Sequence, residues 1–175
     1  EIGDNNVLMN SVSVLYGARI GNGNVIFPGA VISAVLKIEI PGEDTTAEVG
    51  DNNKIRENVT INRGTAAKGK TCVGSGNLLM ESVHVAHDAF VGNDCIIGNG
   101  TKLAGEIIID DHAIISANVL MHQFCRVGGY TMVGGGTRFS QDIPPYTICA
   151  REPVAYCGLN LADYDGEASA TTDRK

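Results

Sequence analysis

Three of the four histidines in this chain fall in two short segments, His84-Val85-Ala86-His87-Asp88 and His122-Gln123-Phe124-Cys125. Imidazole is the side chain whose ordinary pKa lies nearest neutrality, so a histidine beside a carboxylate is the first candidate for a general base. His87 and Asp88 are such a pair. Between the segments lies Leu103-Ala104-Gly105-Glu106, where a bare glycine leaves its backbone N–H open to a developing oxyanion. His87, Gly105 and Gln123 are spaced by 18, as are Asp88 and Glu106. A base with an oxyanion donor fits this spacing, and so does a row of solvated turn residues. What separates them is the architecture that carries the spacing.

That architecture is a six-residue repeat. From Ile2 every sixth residue is aliphatic (Leu8, Val14, Ile20, Ile26, Ile32, Ile38). The frame slips across residues 39–48 and resumes at Val49, running through Ile55, Ile61, Ala67, Val73 and on to Phe139. Six is a multiple of the strand period, whereas on a helix it would scatter the apolar positions around the axis. Small residues recur four places after each aliphatic, and Gly, Asn and Asp crowd the intervals as tight turns require. Each hexad is a short strand and a corner. Three hexads close a coil of 18 residues, and stacked coils pair as parallel strands about 4.8 Å apart. The predicted fold is therefore all-β, a triangular parallel β-helix of some seven to eight coils over residues 2–143. In it His87, Gly105 and Gln123 form one column on one edge, with His84 and His122 beside them. His112 falls elsewhere, as a turn residue. Asp142-Ile143-Pro144-Pro145-Tyr146 is predicted to end the ladder, because proline has no N–H to donate.

Composition bounds the function. A net charge of −7 argues against nucleic-acid binding. No stretch approaches the roughly 20 apolar residues of a membrane span, and a cytoplasmic protein is expected. The five cysteines are odd in number and lack a CxxC pair, so free thiols are expected.

The hexad series resembles the left-handed β-helix acyltransferases, and the left hand is implied by that resemblance alone. Further segments narrow it: Arg56-Glu57-Asn58-Val59-Thr60-Ile61-Asn62-Arg63-Gly64-Thr65, Asn77-Leu78-Leu79-Met80, the His84 and His122 segments, Leu103-Ala104-Gly105, and Asp142 to Tyr146. In this order and spacing they resemble the acyl-carrier-protein-dependent UDP-N-acetylglucosamine O-acyltransferases, which begin lipid A synthesis in Gram-negative bacteria. The resemblance covers residues 1–161, a β-helix domain and its exit segment, and leaves 162–175 as a polar tail without the family's C-terminal helical domain.

It implies transfer of a 3-hydroxyacyl chain from acyl carrier protein to the sugar 3-hydroxyl, within a homotrimer and without metal or other cofactor. His87 takes the role of base, Asp88 orients it, and the Gly105 N–H holds the oxyanion. His84, His122 and Gln123 line the cleft, Asn160 lies near the nucleotide, and Gly135 matches the position that limits acyl length. Glu106 stands where the family has a histidine touching substrate. Val35-Leu36-Lys37-Ile38-Glu39-Ile40 stands where the family has Gln-Asp-Leu-Lys, with Lys37 and Glu39 as replacements. Two other readings stand beside it: a β-helix of the same lineage with a binding role and little turnover, and a three-histidine zinc site like that of γ-class carbonic anhydrases. The carrier protein is acidic, so its docking calls for local positive charge, with Arg56, Arg63, Lys68, Lys70, Lys102, Arg126, Arg138 and Arg151 as candidates.

Overall fold

A computed structural model describes residues 1–35 and 44–161 of the chain. Short strands, most of two residues, alternate with corners, and strands one coil apart pair in parallel. Leu78–Leu79 lies on Ile96–Ile97, His84–Val85 on Lys102–Leu103, and Phe90–Val91 on Ile108–Ile109. These three ladders grow into sheets of nine, seven and six strands, the three faces of a prism. Among the described residues there is no helix. The fold is a left-handed parallel β-helix.

The hexad aliphatics fill the prism. Ile26, Ile55, Leu79, Ile97 and Ile115 on the first face, and Ile32, Ile61, Val85 and Leu103 on the second, are fully buried. Each contributes about 1.5–3 kcal/mol by leaving water. The small residues near each strand's start are buried too, and on the first face the early ones are asparagines. Asn24, Asn53 and Asn77 stack as a ladder: Asn53 N–H donates to Asn24 Oδ1 (2.9 Å), Asn77 N–H to Asn53 Oδ1 (2.8 Å) and Cys95 N–H to Asn77 Oδ1 (2.7 Å). Their amide N–H groups donate to Gly50, Gly74 and Gly92 carbonyls. Buried amides so paired carry little penalty.

Corners place a residue at positive φ once per turn. At the corner joining the second and third faces these are Asp88 (59°), Glu106 (56°) and Phe124 (67°). Left-handed backbone suits Asp, whose short side chain bonds locally. At the corner joining the third face to the first, His112 stacks on Tyr130 and Tyr130 on Tyr146, with ring centroids 4.6 and 5.1 Å apart.

Four expectations need correction. Ile2 (49%) and Leu8 (39%) are exposed, because among the described residues no coil stacks beneath the first. Ala67 is also exposed, on a turn outside the prism. The coils are unequal: Val25 pairs with Lys54, Lys54 with Leu78 and Leu78 with Ile96. Along the asparagine ladder the offset falls from 29 (Asn24 to Asn53) to 24 (Asn53 to Asn77) and then 18 (Asn77 to Cys95). The coil from Lys54 to Leu78 carries a six-residue excursion at 64–69, and an insertion of six leaves a period of six in phase, so it is invisible to the repeat. Finally, the prolines turn a corner and do not end the ladder. Ile143 bridges Val127, and Thr147–Ala150 continues the first face beside Met132–Val133, closing a shortened coil. Ala155–Leu159 then folds back antiparallel and covers that edge. Lys37, Glu39 and the tail 162–175 lie outside the described residues.

Candidate active site

From Lys70 to Phe139 partners in adjacent coils differ by 18 in number, as Asn77 and Cys95 or Thr101 and Val119 do, so the column holds. His87, Gly105 and Gln123 lie one above another at the second corner. The Asp88 side chain is 1% exposed and its Oδ2 accepts from His87 Nδ1 at 2.8 Å. The same carboxylate accepts two further bonds of 2.8 Å, from Thr65 N–H at Oδ1 and Thr65 Oγ1–H at Oδ2. Thr71 Oγ1 accepts the Asp88 backbone N–H at 2.8 Å. An ionised carboxylate only accepts, so it fixes the proton on His87 Nδ1 and leaves Nε2 with a free lone pair.

That lone pair points across Gly105. A Cβ on Gly105 would lie 2.5 Å from His87 Nε2 and 3.1 Å from Gln123 Nε2, so only glycine leaves room for a reacting group. The Gly105 N–H makes no hydrogen bond among the described residues, although Gly105 is buried. Coil geometry explains why it is open. At the corner bearing Asp51, Ser75 and Asn93 the equivalent N–H groups are capped by a side chain of the next coil: Asp51 by Ser75, Ser75 by Asn93 and Asn93 by Asp111. At the histidine corner no side chain caps Gly105. A base lone pair therefore lies beside a glycine whose N–H is unpaired, the two kinds of group that acyl transfer calls for.

His84, on the second face, accepts or donates at Nδ1 to Thr60 Oγ1 (2.6 Å). Burial first, and then the Lys102 charge, hold its pKa below the ordinary histidine value, so it is neutral at pH 7. His122 is exposed, with Nδ1 3.2 Å from the Gln123 carbonyl oxygen. Glu106 sits directly above Asp88, its N–H donating to the His87 carbonyl (3.0 Å). An open groove of roughly 1230 Å³ runs from Gly105 past His122, Gln123, Leu120 and Arg138 to Glu152.

The structure thus gathers His87, Asp88, Gly105, Glu106, His122 and Gln123 at one corner, with His84 beside them on the second face. Gly135 lies on another, above Ala117. Asn160 is buried at the third, where its Nδ2 donates to the Tyr130 carbonyl (2.9 Å) and its N–H to that of Tyr146 (2.9 Å). Among the described residues no three His, Cys, Asp or Glu side chains converge as a metal set. The cysteines are free, and burial pushes the Cys95 thiol up to about 11. Of the basic candidates, Arg56 pairs with Glu57, Lys70 with Glu48 and Arg126 with Asp110, which weakens them as a docking patch. Thr60, Thr65 and Thr71 escaped the sequence reading. Thr60 and Thr65 do lie in the conspicuous Arg56–Thr65 segment, the one signal that marks them.

No family model matches the chain. Solved structures do. The chain is similar to a UDP-N-acetylglucosamine acyltransferase from Bacteroides fragilis, at 69% identity over 92% of this chain and 64% of that one, with a TM-score of 0.88. The corresponding protein of Francisella novicida is 30% identical over 90% of this chain and 70% of that one, with a TM-score of 0.71. The UDP-N-acetylglucosamine O-acyltransferase of Moraxella catarrhalis is 30% identical over 94% and 77%, with a TM-score of 0.73. The chain spans 64% of the length of the Bacteroides fragilis protein. With that extent of shared sequence and shape, the chain belongs to the UDP-N-acetylglucosamine acyltransferase family.

Proposed function

We propose that the chain transfers a 3-hydroxyacyl group from acyl carrier protein to the 3-hydroxyl of UDP-N-acetylglucosamine, with His87 as general base. The observation that carries this reading is the His87 lone pair facing a glycine whose N–H is unpaired. Nε2 takes the proton of the sugar hydroxyl as its oxygen attacks the thioester carbonyl. The tetrahedral oxyanion is held by the Gly105 N–H. On collapse the carbon–sulfur bond breaks, and the imidazolium returns the proton to the departing thiolate, so base and acid are one residue. Asp88 stabilises the imidazolium between the two steps. Amide-bearing Gln123 supplies an uncharged polar contact along the groove, neutral His84 flanks the base on the second face, and Glu106 accepts a substrate N–H where other members use histidine.

Gly135 and Asn160 lie on the other two corners, so they reach this cleft only from a neighbouring copy, as in a homotrimer. An apolar stripe supports such packing. Leu78, Ile96, Ile114 and Met132 follow one another up the outside of the first face, with Ile96 and Met132 exposed. No helix among the described residues is long and apolar enough to cross a membrane, and a cytoplasmic setting agrees with a carrier-protein donor. The decisive experiment is carrier-protein-dependent acyl transfer by the chain and by His87→Ala. Loss of about 10² to 10⁴-fold in kcat is expected, and near-normal turnover refutes His87 as the base.

A further inference from the structure

The six-residue excursion at 64–69 leaves the prism and returns with its own closure. Gly64 N–H donates to the Thr46 carbonyl and Thr46 N–H to the Gly69 carbonyl, both at 2.9 Å, while Gly69 N–H reaches back to the Thr65 carbonyl at 2.7 Å. A side chain on Gly64 would collide with the Lys70 backbone, so the two ends pinch together. Backbone groups alone shut this loop. The Thr65 hydroxyl takes no part in that closure, and its hydrogen-bond partner is Asp88 Oδ2.

We propose that Thr65 is a positioning residue of the active site, the third member of a His87–Asp88–Thr65 relay in which the excursion clamps the carboxylate that orients the base. The inference rests on His87 being that base. Asp88 stands on a left-handed corner of the kind that suits Asp, and partners on both of its oxygens keep the carboxylate plane in line with the imidazole. Thr65 meets both at once, N–H to Oδ1 and hydroxyl to Oδ2, each at 2.8 Å. Oδ2 is shared between the hydroxyl and His87 Nδ1, so the hydroxyl also moderates how strongly the carboxylate holds an imidazolium. A coil of three plain hexads has no residue outside the corner able to do this. The excursion supplies one.

The test follows the His87 ring by NMR in the chain labelled with ¹⁵N at histidine, from about pH 5 to 9, a readout that needs no turnover. The other titratable groups at neighbouring positions, His84, Asp88, Lys102, Glu106 and His122, stay constant in the Thr65 variants. Thr65→Val removes the hydroxyl and keeps the shape. The carboxylate relieved of one donor then holds the imidazolium more tightly, and the His87 pKa rises by about half a unit. Thr65→Ser restores the original titration, and Thr65→Ala, with no branched carbon to crowd Asp88, repeats the rise. Adding Thr65→Val to Asp88→Asn moves His87 no further, since the path runs through the carboxylate. In acyl transfer Thr65→Val lowers kcat about tenfold with the sugar KM within about twofold. An unshifted His87 in Thr65→Val, or an equal shift in the Asp88→Asn background, overturns the proposal. His87→Ala that keeps near-normal turnover overturns the underlying base assignment and the positioning role with it. An inactive His87→Ala beside a Thr65→Val of normal kcat and titration overturns the Thr65 role alone.

Discussion

Gly105→Ala separates catalysis from folding more sharply than any change to the histidine itself. The added Cβ would lie 2.5 Å from His87 Nε2 and 2.6 Å from Cε1, where ordinary contact begins at 3.4 Å, so the ring must retreat by about 0.9 Å. It can do so only by stretching its 2.8 Å bond to Asp88. A misplacement of about 1 Å at a reacting group costs on the order of 10²-fold in rate, and the methyl also fills the space the substrate hydroxyl must occupy. The expected kcat is therefore lower by about 10² to 10³-fold. The backbone at Gly105 is not left-handed and the first obstacle is the end of a side chain, so stability should change by less than about 1 kcal/mol. Steady-state acyl transfer and urea unfolding of the same preparation give both numbers. A variant that keeps kcat within about threefold refutes the placement of the reacting atoms over Gly105, and one that unfolds as readily as a core truncation refutes the packing argument.

Asn53→Ala removes a ladder rung that makes three side-chain hydrogen bonds, leaving the Gly74 carbonyl and Asn77 N–H unpaired in the core. The expected loss is about 3 kcal/mol, read from denaturant midpoints, and a loss under about 1 kcal/mol would show that water replaces the amide. His84 gives a pH signature: its folded pKa lies below 6.5, so as pH falls through 6.5 the unfolded chain binds a proton that the folded chain does not. Stability should thus decrease on acidification from pH 7.5 to about 5.5, and His84→Gln should flatten that part of the profile; an unaltered profile would assign the dependence to other groups. Gly135→Met should shift preference toward shorter acyl donors if a neighbouring copy brings this corner to the cleft, and an unchanged donor profile would place the limit on another residue.

The prism was legible because strand geometry has a period of two and the hexad is a multiple of it, so Ile55, Leu79 and Ile97 announce one inner face at sight. The same regularity hid the excursion. Six extra residues restore the phase, and Ala67 passes for a core position while standing in solvent. The His87–Gly105–Gln123 column was legible because it lies wholly in coils of three hexads. Thr60 and Thr65 were not, because they sit 24 and 23 residues before their partners His84 and Asp88, offsets that depend on an insertion the period conceals. The resumption of the ladder after Pro144-Pro145 was missed for a related reason. The last coil is shortened by two residues, so Ile143 and Cys149 take up core positions that the frame from Phe139 assigns to Pro145 and Arg151.

Each coil pairs with the coils next to it, from Val25 on Lys54 to Met132 on Ile148, so among the described residues the ladders need no strand from the far end of the chain. Structure of this kind forms as a moving front, one coil templating the next. The histidine corner draws on Thr65 and Thr71 of one coil and on Asp88, Gly105 and Gln123 of the three that follow. During synthesis the carboxylate clamp can therefore assemble well before the groove does, as chain emerges at about 5–20 residues per second. A stalled chain with residues up to about 100 clear of the ribosome would carry an oriented His87 and no oxyanion donor, a base formed ahead of the site it serves.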